Sequence, residues 1–188
     1  MKLRQLLHRT ALFVALGIFC GAVLAANTAI DVAVERGADK AYMVDAAFDV
    51  NVPASVAWDV LTDYEGIGRF VSSIRQSTIK EREPGRVLLE QHGVGRAWII
   101  SMPMHVVLDV REDDQRVLAF RDVCGKSFTI YEGAWELSTI DGGTRVTYRL
   151  KADPTGRQPA MVAKSAIKGS VKTLLDEVRQ EIILRGAR

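Results

Sequence analysis

Hydrophobic and polar positions along this chain change period twice, and the changes mark out its elements. Val44, Ala46, Phe48, Val50 and Val52 alternate with Asp45, Ala47, Asp49 and Asn51, the period of two of a strand with one wet face. Pro53 then opens a helix at a position where its missing N–H costs nothing. Ala54 to Tyr64 reads as that helix, with Val56, Trp58, Val60 and Leu61 as its apolar contacts, and Ile67, Phe70 and Val71 suggest a second, shorter one beyond Gly66 and Gly68. Six strand-like stretches follow: Ile74 to Arg82, Arg86 to Ile100 (bent at Gly93 and Gly95), Met104 to Arg111, Val117 to Val123, Phe128 to Thr139 and Thr144 to Ala152. Turn signals such as Glu83-Pro84-Gly85 and Asp141-Gly142-Gly143 join them, and short links between consecutive strands predict an antiparallel meander. From Ala160 to Leu184 the period becomes helical, with Ile167, Val171, Leu174, Leu175, Val178 and Ile182 on one line.

A sheet with one apolar face needs a cover, and the terminal helix is the natural one. That helix is uneven. Its first half is thin, with Ala160, Ala163, Ser165, Ala166, Gly169 and Ser170, whereas Leu174, Leu175, Val178, Ile182 and Ile183 make the second half bulky. Either the thin half leaves a cavity beside the sheet, or Gly169 marks close helix–sheet packing without one.

The ends of the chain carry different signals. Lys2, Arg4 and Arg9 precede an uncharged, mostly apolar stretch from Ala11 to Leu24, which predicts a signal peptide over residues 1–25 cleaved after Ala25 or Ala26. The alternative is an uncleaved anchor, since the uncharged run from Thr10 to Ile30 is long enough to span a bilayer. Residues 26–40 show no strong period and read as a partly ordered arm, leaving residues 41–188 as one domain. Export predicts a periplasmic or secreted protein; retention of the leader predicts a membrane-anchored one. Taking Lys2, Arg4 and Arg9 from the 25 basic residues leaves 22 against 23 acidic ones, so the mature chain lacks the basic footprint of a nucleic-acid binder. Cys124 is its one cysteine, so no intrachain disulfide is expected and burial must hold the core.

Three groups of residues resemble a known family. Ala57-Trp58-Asp59-Val60-Leu61-Thr62-Asp63-Tyr64-Glu65 is similar to the first helix of the START-like (SRPBCC) superfamily, in its polyketide cyclase/dehydrase branch, which includes ubiquinone-binding START-like proteins. Tyr131-Glu132-Gly133-Ala134-Trp135-Glu136-Leu137 and Thr144-Arg145-Val146-Thr147-Tyr148 resemble the last two strands of that branch. The resemblance implies an α+β helix-grip fold, with a seven-stranded antiparallel sheet wrapped around the terminal helix, two short helices after the first strand, and an apolar ligand cavity.

Catalytic signatures are missing from the sequence. Gly125-Lys126-Ser127 lacks the first glycine of a phosphate loop, and Trp98 stands where a dinucleotide fingerprint needs its third glycine. His92, His105 and Cys124 fall on separate strands with no close spacing, so no metal site and no cofactor are expected. His105 lies opposite Met104 on its strand and should face outward, while the face of His92 is open. Asp122 shares the parity of Leu118 and Phe120, so it belongs either at a cavity rim or in solvent at a strand end. The candidate ligand-binding residues are Phe70, Met104, Leu118, Phe120, Tyr131, Trp135, Tyr148, Met161 and Ile167, with Phe70 and Met161 at the mouth. They give an apolar lining with a few polar tips, the usual make-up of a small-molecule pocket. The expected partner is a lipophilic small molecule, bound by a monomer or weak oligomer. A cyclase or dehydratase using Tyr148, His92 or Asp122 for proton transfer is the second reading, and an accessory module with a filled core is the third. The basic residues Lys164, Lys168, Lys172, Arg179, Arg185 and Arg188 offer either a face for a membrane surface or a solvated helix flank.

Overall fold

The computed structural model describes residues 30–97, 100–156 and 159–188. The signal peptide predicted over residues 1–25 and its predicted cleavage point lie outside the described residues. In chain order the elements are β1 (Val32–Arg36), β2 (Tyr42–Val50), α1 (Ala54–Leu61), a 3₁₀ turn (Ile67–Arg69), β3 (Ile74–Glu83), β4 (Arg86–Ala97), β5 (Ile100–Asp113), β6 (Val117–Asp122), β7 (Phe128–Ile140), β8 (Gly143–Pro154) and α2 (Ala160–Gly186). The strands form one antiparallel sheet in the order β1-β2-β8-β7-β6-β5-β4-β3.

The sheet has eight strands rather than seven. The additional strand, β1, comes from the segment read as an arm and pairs with β2 from Val32↔Ala46 to Arg36↔Tyr42. Ile30, Val32 and Val34 are buried, so a short alternation within residues 30–35 was the signal for it. A second difference concerns β5, which begins at Ile100 and includes Pro103, paired with Val94. There β5 pairs only with β4, because β6 joins it from Leu108 onward, and an unpartnered strand side tolerates proline.

Strand periodicity divides the sheet into two faces. Tyr42, Val44, Ala46, Phe48 and Val50 of β2, with Val146, Tyr148, Leu150 and Ala152 of β8, are buried on the face toward α2. The opposite face is polar and laced with ion pairs, such as Arg145–Asp49 at 2.8 Å and Lys151–Asp39 at 2.7 Å. From α2, Val171, Leu175, Val178 and Ile182 enter the core; Leu175 and Ile182 are fully buried. A leucine or isoleucine removed from water in this way stabilises the fold by about 1.5–3 kcal/mol.

The C-terminal half of α2 is also tied down by polar contacts. The Arg185 guanidinium donates to Asp63 Oδ2 at 2.7 Å and to Glu181 Oε1 at 2.8 Å, and it lies 5.6 Å from the Phe70 ring centre. Burial works to raise the Asp63 carboxyl, but Arg185 and then Arg69 outweigh it and hold the group below its ordinary value. Nearby, the Tyr64 hydroxyl donates to Glu112 at 2.6 Å, joining the segment after α1 to the end of β5.

Candidate functional site

The two halves of α2 meet the sheet differently. Where the helix is bulky, side chains fill the space. Where it is thin, a cavity of about 300 Å³ lies between α2 and the inner faces of β4, β5, β7 and β8. Its helix side is Ala163, Ala166, Ile167, Ser170, Val171 and Leu174; Met104, Phe128, Tyr131, Tyr148 and Leu150 are prominent on the sheet side. Ser73, Val94, Ala166 and Ser170 also border an outer groove of about 630 Å³ along α2, flanked by Met161 and Val162, so cavity and groove adjoin. A volume of this order suits a small-molecule site. Gly169 faces the groove, and a methyl group added there would touch nothing within 4 Å. Close helix–sheet packing is therefore not what the glycine serves.

A line of aromatic rings runs from filled core to open cavity. Trp135 and Tyr148 lie 4.4 Å apart between ring centres, Phe120 and Tyr148 6.3 Å, Phe120 and Tyr131 5.7 Å, and Tyr131 and Phe128 4.5 Å. Pairs at these separations stabilise beyond their burial alone. At the cavity end the Tyr131 and Tyr148 hydroxyls interact with each other. Burial raises both ionisations above the ordinary phenol value, for Tyr148 by a wide margin, so each phenol stays protonated and acts as a neutral hydrogen-bonding group. Gln91 adds a third polar tip, its Nε2 donating to Ser77 Oγ at 3.1 Å.

Of the residues singled out from sequence, Met104, Tyr131, Tyr148 and Ile167 line the cavity and Met161 the groove, where Met161 is 84% exposed. Leu118, Phe120 and Trp135 do not reach the cavity. They are buried in the wall behind it, because each has neighbours on its own sheet to fill against. Phe70 is not at the mouth either: it sits under Arg185, at the sealed half of α2. Parity along a strand assigns a face but not a position along the helix axis, and Leu118, Phe120 and Trp135 needed that second coordinate; Phe70 follows the 3₁₀ turn and lies on no strand, so it had no strand face to read.

Two of the three proposed proton-transfer groups are elsewhere. Asp122 is not among the residues lining the cavity, although its charge acts on Tyr131, and it is not free in solvent. Its carboxylate accepts from the backbone N–H of Val107 at 2.9 Å, Cys124 at 3.2 Å and Gly125 at 3.0 Å, which shapes the turn from β6 to β7. His92 and His105 lie opposite each other on β4 and β5, with ring centres 4.2 Å apart, on the face away from α2. The absence of a ligand cluster expected from their spacing is corrected by this pairing: with Glu90 they bring three ligand atoms within 4.8 Å of one another. Among the basic residues of α2, Arg179 is buried, Arg185 is bound to Asp63 and Glu181, and Lys172 pairs with Asp176 at 2.6 Å. No helix among the described residues is long and apolar enough to cross a membrane.

The family model for polyketide cyclase / dehydrase and lipid transport matches residues 43–182. A STAR-related lipid transfer protein from Xanthomonas axonopodis is similar in structure, with TM-score 0.69 and 17% identity over 82% of this chain and 93% of that one. TTHA0849 from Thermus thermophilus aligns at TM-score 0.67 with 18% identity, covering 76% of this chain and 97% of the other. The Zhui aromatase/cyclase from a Streptomyces species aligns at TM-score 0.64 with 16% identity, covering 78% of this chain and 93% of the other. At these identities the likeness establishes the START-like helix-grip fold. No curated protein matches the sequence.

Proposed function

The chain belongs to the polyketide cyclase / dehydrase and lipid transport family, and on that premise we propose that it is a non-enzymatic carrier, exported through its leader, that holds a lipophilic molecule of the quinone, lipid or polyketide-like class. The observation that carries the reading is the adjoining cavity and groove at the thin half of α2. Burying an aliphatic tail of roughly 250 Å² there is worth about 6 kcal/mol before ordering costs. Gln91, Tyr131 and Tyr148 line the cavity with polar tips that a ligand's polar head can join, although in this structure the two phenols pair with each other and Gln91 pairs with Ser77. Access runs between Ser72–Ser73 and the Met161–Thr173 side of α2, where the Ser73 carbonyl accepts from the Val94 N–H at 2.8 Å and fixes one rim.

The protein purified from its own cell envelope, analysed by native mass spectrometry with small-molecule identification after denaturation, is expected to release a lipophile. An empty protein, together with no saturable binding across a panel of quinones and lipids, would contradict the reading. The neutral phenol pair in the cavity also suits a cyclase or dehydratase, in which Tyr131 or Tyr148 donates a proton. Tyr148→Phe separates the two: a carrier keeps its ligand with altered affinity, whereas an enzyme loses turnover while retaining the ligand.

A further inference from the structure

We propose that Glu90, His92 and His105 form a binding site for a divalent metal ion of the zinc class, on the outer face of the sheet and separate from the cavity. Glu90 and His92 are two apart on β4 and so share a face, and the β4–β5 register places His105 opposite His92. The ligand atoms converge: Glu90 Oε1 is 2.9 Å from His105 Nε2 and 3.6 Å from His92 Nε2, and one ligand atom from each of the three residues lies within 4.8 Å of the others. An ion bound at about 2.0–2.2 Å to each of three such atoms needs separations of this size, so small side-chain rotations complete the site. Two imidazoles and one carboxylate suit zinc and its late transition-metal neighbours, whereas magnesium and calcium favour oxygen. The side chains are 46%, 21% and 25% exposed for His92, His105 and Glu90, so an ion reaches them from solvent and keeps an open coordination position.

Two lysines set the terms of binding. Lys80 Nζ donates to Glu90 Oε2 at 3.1 Å, which orients the carboxylate and leaves Oε1 for the ion. Lys126 Nζ lies 3.2 Å from His105 Nδ1, and as an ammonium it can only donate there. That contact selects the tautomer with its proton on Nε2, which then donates to Glu90 Oε1. Metal binding requires the other tautomer: through solvent, the ring gives up its Nε2 proton and takes one on Nδ1, and the exposed Lys126 swings away. Lys126 therefore competes with the ion, and removing it should tighten binding.

Titration of the full chain with Co²⁺ is expected to give one equivalent of a visible d–d spectrum that Zn²⁺ displaces and Mg²⁺ or Ca²⁺ does not. His92→Ala and His105→Ala should each weaken binding by at least about tenfold with the fold intact by circular dichroism. Lys126→Met should tighten it several-fold. Cys124, whose Sγ is 3.8 Å from the His105 carbonyl, is the nearby thiol, and Cys124→Ser should leave binding unchanged. The proposal is overturned by a missing Co²⁺ spectrum at micromolar metal, by binding that survives the double histidine variant, or by dependence on Cys124. Unchanged affinity in Lys126→Met would overturn the tautomer argument.

Discussion

The two halves of α2 cover the same sheet with opposite results. Toward the C-terminus Leu175, Val178 and Ile182 fill the space, and Arg185 fastens the helix to Asp63. Toward the N-terminus Ala163, Ala166 and Ser170 leave a cavity, and Met161 stands in solvent beside it. One helix thus closes the core at one end and borders a cavity at the other; the division follows side-chain volume, and the Arg185–Asp63 contact reinforces the closed end. The lesson is that stability and ligand capacity are separable along a single element.

The sharpest way to break the comparison is to hollow the anchor. Leu175→Ala should cost about 2–5 kcal/mol in chemical denaturation, because a fully buried leucine leaves an unfilled space. A much smaller change would mean the sealed half is not close-packed. Filling the open half should do the reverse. Ala166→Phe is expected to lower ligand affinity at least about tenfold, or about 1.4 kcal/mol, while changing stability by less than about 1 kcal/mol. Equal losses of folding and binding would show the thin half to be structural after all.

Gly169→Ala tests the same contrast by sign. The added methyl meets nothing, and alanine is favoured over glycine inside a helix, so stability should rise by about 1 kcal/mol. A loss would place close packing at that point. The smallest effect concerns the Asp63–Arg185 pair. The Asp63 carboxyl is held below its ordinary value of 3.8 in the folded state, so its contribution is present above that pH and is lost as the pH falls through the folded value. Wild type should therefore lose more stability between neutral and strongly acidic pH than Arg185→Ala, the difference staying under about 1 kcal/mol. Parallel pH profiles would remove the pair from the account.

Much of this contrast was legible in the sequence. The thin run from Ala160 to Ser170 and the bulky run from Leu174 onward are visible as residue types, and the strand alternations in β2 and β8 are regular. What could not be read is depth along the groove. Tyr131 and Trp135 share a face of β7, yet one borders the cavity and the other is wall, because only the three-dimensional position of α2 separates them. Phe120 stays in the wall because Gly133 opposite it on β7 leaves room for its ring; a side chain there would meet Phe120 Cζ at 2.8 Å. The cluster of Glu90, His92 and His105 was hidden for another reason. It depends on the hairpin register, and a shift of one residue would have sent one histidine to the opposite face.

Methionine methyl groups offer the most direct measurement. Met104 lines the cavity, Met102 its edge and Met161 the groove, while Met43 lies on the outer face of β2. With ¹³C-methyl-labelled protein titrated with a quinone or fatty-acyl ligand, the account expects saturable shifts at Met104 first, then at Met102 and Met161, with Met43 unmoved. Saturable binding that leaves Met104 unshifted, or that moves Met43 alone, would contradict a lipophile seated between the sheet and the thin half of α2.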